Sequence, residues 1–153
     1  IRNKTAYDEN IKNLEWDLES GKKDFGIAIV DLNYLKRIND TYGHEKGNIA
    51  IKKICQIVCD VFDHSPVFRI GGDEFAIILK DTDLKNVDNL VGIFKGTLIK
   101  LSQDDSLRPW EAVSAAIGYA VYNPAVDSSV DNVFKRADQA MYDDKKAMKA
   151  VRE

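Results

Sequence analysis

Tyr7, Ile11, Leu14 and Leu18 recur three or four residues apart before Gly21, which predicts an amphipathic helix over 5–20. Phe25-Gly26-Ile27-Ala28-Ile29-Val30 is an apolar run too short for a helix and reads as a buried strand that ends at Asp31. Over 34–42 the pattern turns helical, Gly43-His44-Glu45-Lys46-Gly47 breaks it, and a long amphipathic helix follows over 48–62. Two short strands, 67–70 and 75–79, flank Gly71-Gly72-Asp73-Glu74, the mark of a tight hairpin. Val87, Leu90, Val91, Phe94, Leu98 and Leu101 share one face of a helix predicted over 84–101. Residues 111–122 predict a long strand, stopped by Asn123-Pro124. Ser128 with Asp131 three residues on predicts the cap of a last helix that runs to about residue 149.

After the first helix the order is strand, two helices, strand, strand, helix, strand, helix. This is an α/β (α+β) arrangement: a single-layer mixed sheet with a split βαββαβ core, helices on one face, and extra terminal helices. The reading divides the chain into a helical lead-in over 1–22 and a main domain over 23–153. Such a fold hosts many activities, so function must be argued from the site.

Composition narrows the field. The 153 residues are 44% hydrophobic and 31% charged, which suits one domain with a core under a solvated surface. A net charge of −3 provides no broad positive field, so a nucleic-acid partner is not expected. A nucleotide pocket stays open, because local lysines and a divalent metal can balance phosphates. Cys55 and Cys59 share the helix face of Ile51, Ile54, Val58 and Phe62, and read as core residues rather than metal ligands. Unpaired thiols suit a reducing compartment. No signal peptide or run of about 20 apolar residues is visible, so the domain is expected in the cytoplasm, free or tethered through a preceding region. A chain that opens on Ile1 rather than Met is expected to be part of a longer protein.

The chemistry gathers on acids. Asp31 closes a buried strand, and ligands of open α/β sheets collect beyond strand ends. Asp73 and Glu74 sit at the tip of the hairpin; if the first strand lies beside it, Asp31 and Asp73 face the same space. Carboxylates that close repel unless protonated or bridged by a cation, and hard oxygen ligands suit Mg²⁺ or Mn²⁺. A polar turn with acidic decoration is the alternative reading of the same four letters. A helix begins directly after the acid-tipped strand; its N-terminal N–H groups can bind phosphate, and Lys36 adds a charge one turn in. Asn39, His44 and Asn48, beside Gly43 and Gly47, can form a polar cleft that a flat base could enter.

Asp31-Leu32-Asn33-Tyr34-Leu35-Lys36, Ile38-Asn39-Asp40-Thr41-Tyr42-Gly43-His44 and Arg69-Ile70-Gly71-Gly72-Asp73-Glu74-Phe75 together resemble the signature of GGDEF-domain diguanylate cyclases. Residues 113–118 and 137–142 resemble a later strand and the last helix of that family, so the likeness covers nearly the whole chain. The resemblance implies a palm-like, nucleotide-cyclase-like fold that condenses two GTP into cyclic di-GMP, with the 3′-hydroxyl of each nucleotide attacking the α-phosphate of the other. It implies Mg²⁺ (or Mn²⁺) on Asp31, Asp73 and the carbonyl of Leu32, with Asp73 as proton acceptor, Glu74 as its supporting acid and Lys36 stabilising the phosphates. Asn39, His44 and Asn48 match nucleotide and guanine contacts, and Lys145 and Lys149 match late phosphate contacts. Spacing alone reads those two lysines as a solvated basic helix end. The resemblance further implies a homodimer for turnover and an upstream sensor or regulatory domain.

Asn48 stands where the family usually has aspartate, so weaker or altered guanine selection is an expectation of the resemblance. Met148-Lys149 replaces Gly-Arg, giving a point charge for a bidentate fork. The Arg-x-x-Asp of the family's inhibitory product site reads Phe62-Asp63-His64-Ser65, so no feedback through it is expected. The alternatives are a GTP-binding regulatory module without turnover, an interaction domain that only relays a signal, and a cyclase with other nucleotide selectivity.

Overall fold

The computed structural model describes residues 1–152. The elements are α1 (Lys4–Glu19), β1 (Gly26–Leu32), α2 (Leu35–Tyr42), α3 (His44–Val61), β2 (Val67–Arg69), β3 (Glu74–Leu79), α4 (Asp81–Lys85), α5 (Val87–Ser102), β4 (Ala115–Val121) and α6 (Val130–Arg152). The four strands form one sheet in the order β2-β3-β1-β4. All neighbouring strands pair antiparallel, so the sheet is antiparallel where a mixed one was expected; an isolated parallel bridge joins Arg2 to Phe68 at its edge.

Side-chain alternation assigns the helices to faces. Ala28, Val30 and Leu32 of β1 and Phe75, Ile77 and Leu79 of β3 meet α3 and α5 through Ile54, Val58, Phe94 and Leu98. The intervening Ile27, Ile29, Ala76 and Ile78 meet α1 and α6 through Tyr7, Leu14, Val133, Ala137 and Met141. The helices of the βαββαβ core therefore lie on one face, and the two terminal helices cover the other. A strand buried on both sides must be apolar throughout, which is why β1 reads as an unbroken run.

α1 ends where expected, and several other boundaries differ from expectation, each for a local reason. α1 ends at Ser20 in a Schellman turn: Gly21 has φ +88°, its N–H donates to Leu18 O, and Lys22 N–H donates to Asp17 O. α3 starts at His44 rather than at 48, because Gly43 (φ +96°) alone makes the break and Gly47 is a buried helical residue. The helix expected over 84–101 is two, joined at Asn86, as buried Asp83 on α4 accepts bonds from His64 N–H and Ser65 Oγ. The strand expected from 111 starts at Ala115. Ahead of it, Glu111 Oε1 accepts the Arg108 N–H, and the N–H groups of Glu111 and Ala112 donate to Arg108 O, closing a turn. The cap of α6 lies one residue further on than expected: Ser129 Oγ accepts the Asn132 N–H, while Asn132 Oδ1 accepts from Ser128. No described helix is long and apolar enough to cross a membrane.

Candidate active site

β1 and β3 run antiparallel with Asp31 opposite Glu74, and the Leu32 N–H donates to Asp73 O at 2.8 Å. Asp31 and the Gly71-Gly72-Asp73-Glu74 turn, 40 residues apart in sequence, thus meet at one end of the sheet. Arg69 steadies the turn from β2: its Nε donates to Gly71 O at 3.2 Å and its guanidinium to Gly72 O at 2.7 Å. Arg69 is in turn fixed by the chain start, since its N–H donates to Arg2 O while Arg2 N–H donates to Val67 O.

Asp31 belongs to the same alternation set as Ile27 and Ile29, so it points toward α6. There Lys145 Nζ donates to Asp31 Oδ2 at 2.6 Å, with the side chains only 27% and 15% exposed respectively. Asp31 Oδ1 is buried with no hydrogen-bond partner among the described residues. Burial raises the Asp31 carboxyl above its ordinary pKa; the Lys145 hydrogen bond opposes that rise and the Asp73 charge adds to it. Glu74 is raised too, first by burial and then by the charges of Asp138, Asp31 and Asp73. A crowd of carboxylates in a half-dry place is unfavourable on its own and favourable around a cation.

The remaining candidates lie on α2, α3 and α6. Lys36 is exposed in the first turn of α2, whose preceding residue, Tyr34, adopts a left-handed conformation at φ +65° and gives the helix no side-chain cap. Asn39 is partly buried, pressed against Gly47 where α2 packs on α3. His44 and Asn48 are exposed on the first turns of α3. Lys149 is exposed one turn beyond Lys145. Asp31, Asp73, Glu74 and Lys145 converge, whereas among the described residues no hydrogen bond or ion pair ties Lys36, His44 or Asn48 to them. Asp138 is the acid that sequence reasoning missed. Its signal was its place seven residues before Lys145, two turns up the same helix face. Two cavities of about 470 Å³ each lie elsewhere, one between α5 and α6 and one between α2 and residues 109–114; neither is lined by Asp31, Asp73, Glu74 or Lys36.

Fit to a divalent ion can be tested on the donors. Among the described residues no three His, Cys, Asp or Glu side chains cage a metal unaided. The hard oxygens of Asp31 and Asp73, with the strand-end carbonyl of Leu32, match a hard cation that also takes ligands from a substrate. The orphaned, buried Asp31 Oδ1 supplies a donor ready for it.

The family described as "Diguanylate cyclase, GGDEF domain" matches residues 1–150. The chain belongs to the GGDEF family. Diguanylate cyclase DosC of Escherichia coli K12 is 31% identical over 121 residues, covering 76% of this chain and 25% of the relative. Diguanylate cyclase DgcM of the same organism is 30% identical over 121 residues, covering 78% and 28%. The chain therefore spans about a quarter of the length of these curated relatives. The GGDEF domain of DgcB from Caulobacter crescentus, solved in complex with c-di-GMP, superimposes with a TM-score of 0.77 at 25% identity over 95% of this chain and 85% of that one. The fold is that of GGDEF domains, and the family match includes the α1 lead-in.

Proposed function

We propose that this GGDEF domain is itself a diguanylate cyclase, which joins two GTP into cyclic di-GMP with release of pyrophosphate. The observation that carries the reading is the juxtaposition of Asp31 with the Asp73–Glu74 turn under Lys145, with one Asp31 oxygen left unpaired. Asp31, Asp73 and the Leu32 carbonyl would hold Mg²⁺ or Mn²⁺. When bound, such an ion lowers the pKa of a 3′-hydroxyl and offsets charge on the phosphate under attack. Asp73, at the tip of the turn, accepts the hydroxyl proton, and Glu74 beside it supports the metal end of the site. Lys36 and the uncapped start of α2 hold the phosphates, where amide dipoles and an ammonium favour the growing negative charge. Lys145 and Lys149 approach the phosphates from α6. Asn39, His44 and Asn48 position the base and sugar along α2 and α3.

One domain holds one GTP, so turnover needs two copies face to face. Their approach supplies the proximity that makes a bimolecular step fast. Chromatography of products from GTP and Mg²⁺ tests the reading: cyclic di-GMP and pyrophosphate are expected from the native chain and neither from Asp73→Ala.

A second reading, a GTP-binding regulatory module without turnover, draws on Asn48. Its amide offers guanine one carbonyl oxygen where a carboxylate would accept two N–H bonds. Unchanged GTP recovered from a bound, dimerised sample would favour it.

A further inference from the structure

Asp31 cannot sit bare. Its Oδ1 is already buried and unpaired, and Oδ2 is held by Lys145 at 2.6 Å. Removing that ammonium would leave a carboxylate among three others, Asp73, Glu74 and Asp138, whose charges act on Asp31 and Glu74. Lys145 reaches the site from α6, on the face opposite α2 and α3, by a flexible four-carbon stem that can point elsewhere at small cost.

We propose that Lys145 is a resident counter-ion: it occupies Asp31 until a divalent cation arrives, then gives up the carboxylate and turns its charge to the nucleotide. The inference rests on the metal site proposed above and adds a sign that site alone does not carry. Without nucleotide, Lys145 and the cation compete for one carboxylate, so the lysine should weaken metal binding. With nucleotide present, the released ammonium meets phosphate, and the same lysine should strengthen the complex. A residue that only touched phosphate would be silent in the first measurement. A residue that only held α6 in place would not change sign between the two.

The ion pair also balances charge in the metal-free site. With Lys145 in place, the cluster need not wait for metal to be neutralised, and metal enters most readily together with a phosphate that can take the lysine in exchange. The device thus couples cation uptake to substrate uptake.

The test is titration of Mn²⁺ into the nucleotide-free chain, followed by the electron paramagnetic resonance signal of free Mn²⁺. Native protein, Lys145→Met, Lys145→Arg and Asp31→Asn are compared. Lys145→Met should bind Mn²⁺ about tenfold more tightly, the effect of removing a competitor worth one decade. Lys145→Arg, which keeps the charge, should bind no more tightly than native protein. In the presence of a non-hydrolysable GTP analogue the order of native and Lys145→Met should invert. Should Lys145→Met fail to give a native circular dichroism spectrum, Lys145→Gln, which keeps a donor without charge, takes its place. Equal or weaker Mn²⁺ binding by the neutral variant, with Asp31→Asn still abolishing binding, overturns the counter-ion and leaves the metal site standing. Binding that Asp31→Asn does not diminish, or no binding in any protein, overturns the metal site and the counter-ion together.

Discussion

The carboxamide oxygen of Asn39 fills the space beside Gly47 that any side chain there would claim, so a Cβ on Gly47 would collide with it. A glycine inside α3 is thus explained by its neighbour on α2. Gly47→Ala gains helix propensity of about 1 kcal/mol, and overpacking opposes it by about 1–3 kcal/mol. The expected outcome is a stability change within about 1–2 kcal/mol but a GTP affinity lower by about tenfold, because Asn39 is driven off its position. Calorimetric titration beside thermal unfolding separates the two.

Gly118 is a different case. A Cβ there would run into the backbone of α6 at Ala140 and Met141, which cannot step aside as a side chain can. Gly118→Ala is expected to cost about 3 kcal/mol and lower Tm by about 6–12 °C. An unchanged melting curve would mean that β4 and α6 pack less closely than described.

Glu74 should trade stability for function. Its carboxyl is raised above the ordinary value by burial and by Asp138, Asp31 and Asp73. A raised acid binds protons better folded than unfolded, so its contribution to stability improves as pH falls from above the folded pKa toward the unfolded one. Near neutral pH the ionised group is a burden. Glu74→Gln is therefore expected to stabilise the metal-free protein at pH 7, by only about 0.5 kcal/mol because water still screens the side chain, while lowering product formation. Denaturant titration across pH 4–7 should show the difference from native protein shrinking toward acid.

Asp127 behaves in the opposite sense. Its buried carboxylate takes the Arg136 Nε at 2.9 Å, and that bond holds its pKa below the usual aspartate range against burial. Stability from this pair is complete above the unfolded aspartate value of about 3.9 and is lost as pH drops through the lower folded value. Arg136→Met should cost about 2 kcal/mol at pH 7, less than a fully buried pair would because Arg136 is partly exposed. In urea titrations that difference should fade as the pH falls below the usual aspartate range.

Product feedback is expected to be absent at the surface where an Arg-x-x-Asp would sit. Phe62 is fully buried there, and the His64 N–H and Ser65 Oγ are committed to Asp83. Adding cyclic di-GMP to a turnover assay should leave the initial rate unchanged; inhibition abolished by Asp63→Ala would contradict this.

Much of the fold was legible because burial leaves periodic marks. The two-sided burial of β1 shows as an unbroken apolar run, and the α6 face shows in Val130, Val133, Ala137 and Met141. Turns set by side-chain bonds were not legible: the Arg108–Glu111 turn shortens β4, and the pull of His64 and Ser65 on Asp83 parts α4 from α5. Asp31, Asp73 and Glu74 could be named from the strand end, the hairpin and the resemblance, whereas Asp138 could not. That Lys145 would rest on Asp31 could not, since a lysine in an amphipathic helix reads as solvated until the strand parity of its partner is known.

The chain start grips the edge of the sheet through Arg2, and the strand it grips carries Arg69, whose guanidinium clasps the Gly71–Gly72 turn. Tension on the amino end would load those few edge bonds before it reached the interior. The stiffness of that short mechanical train sets how far a tug at the first residues can displace the acidic tip.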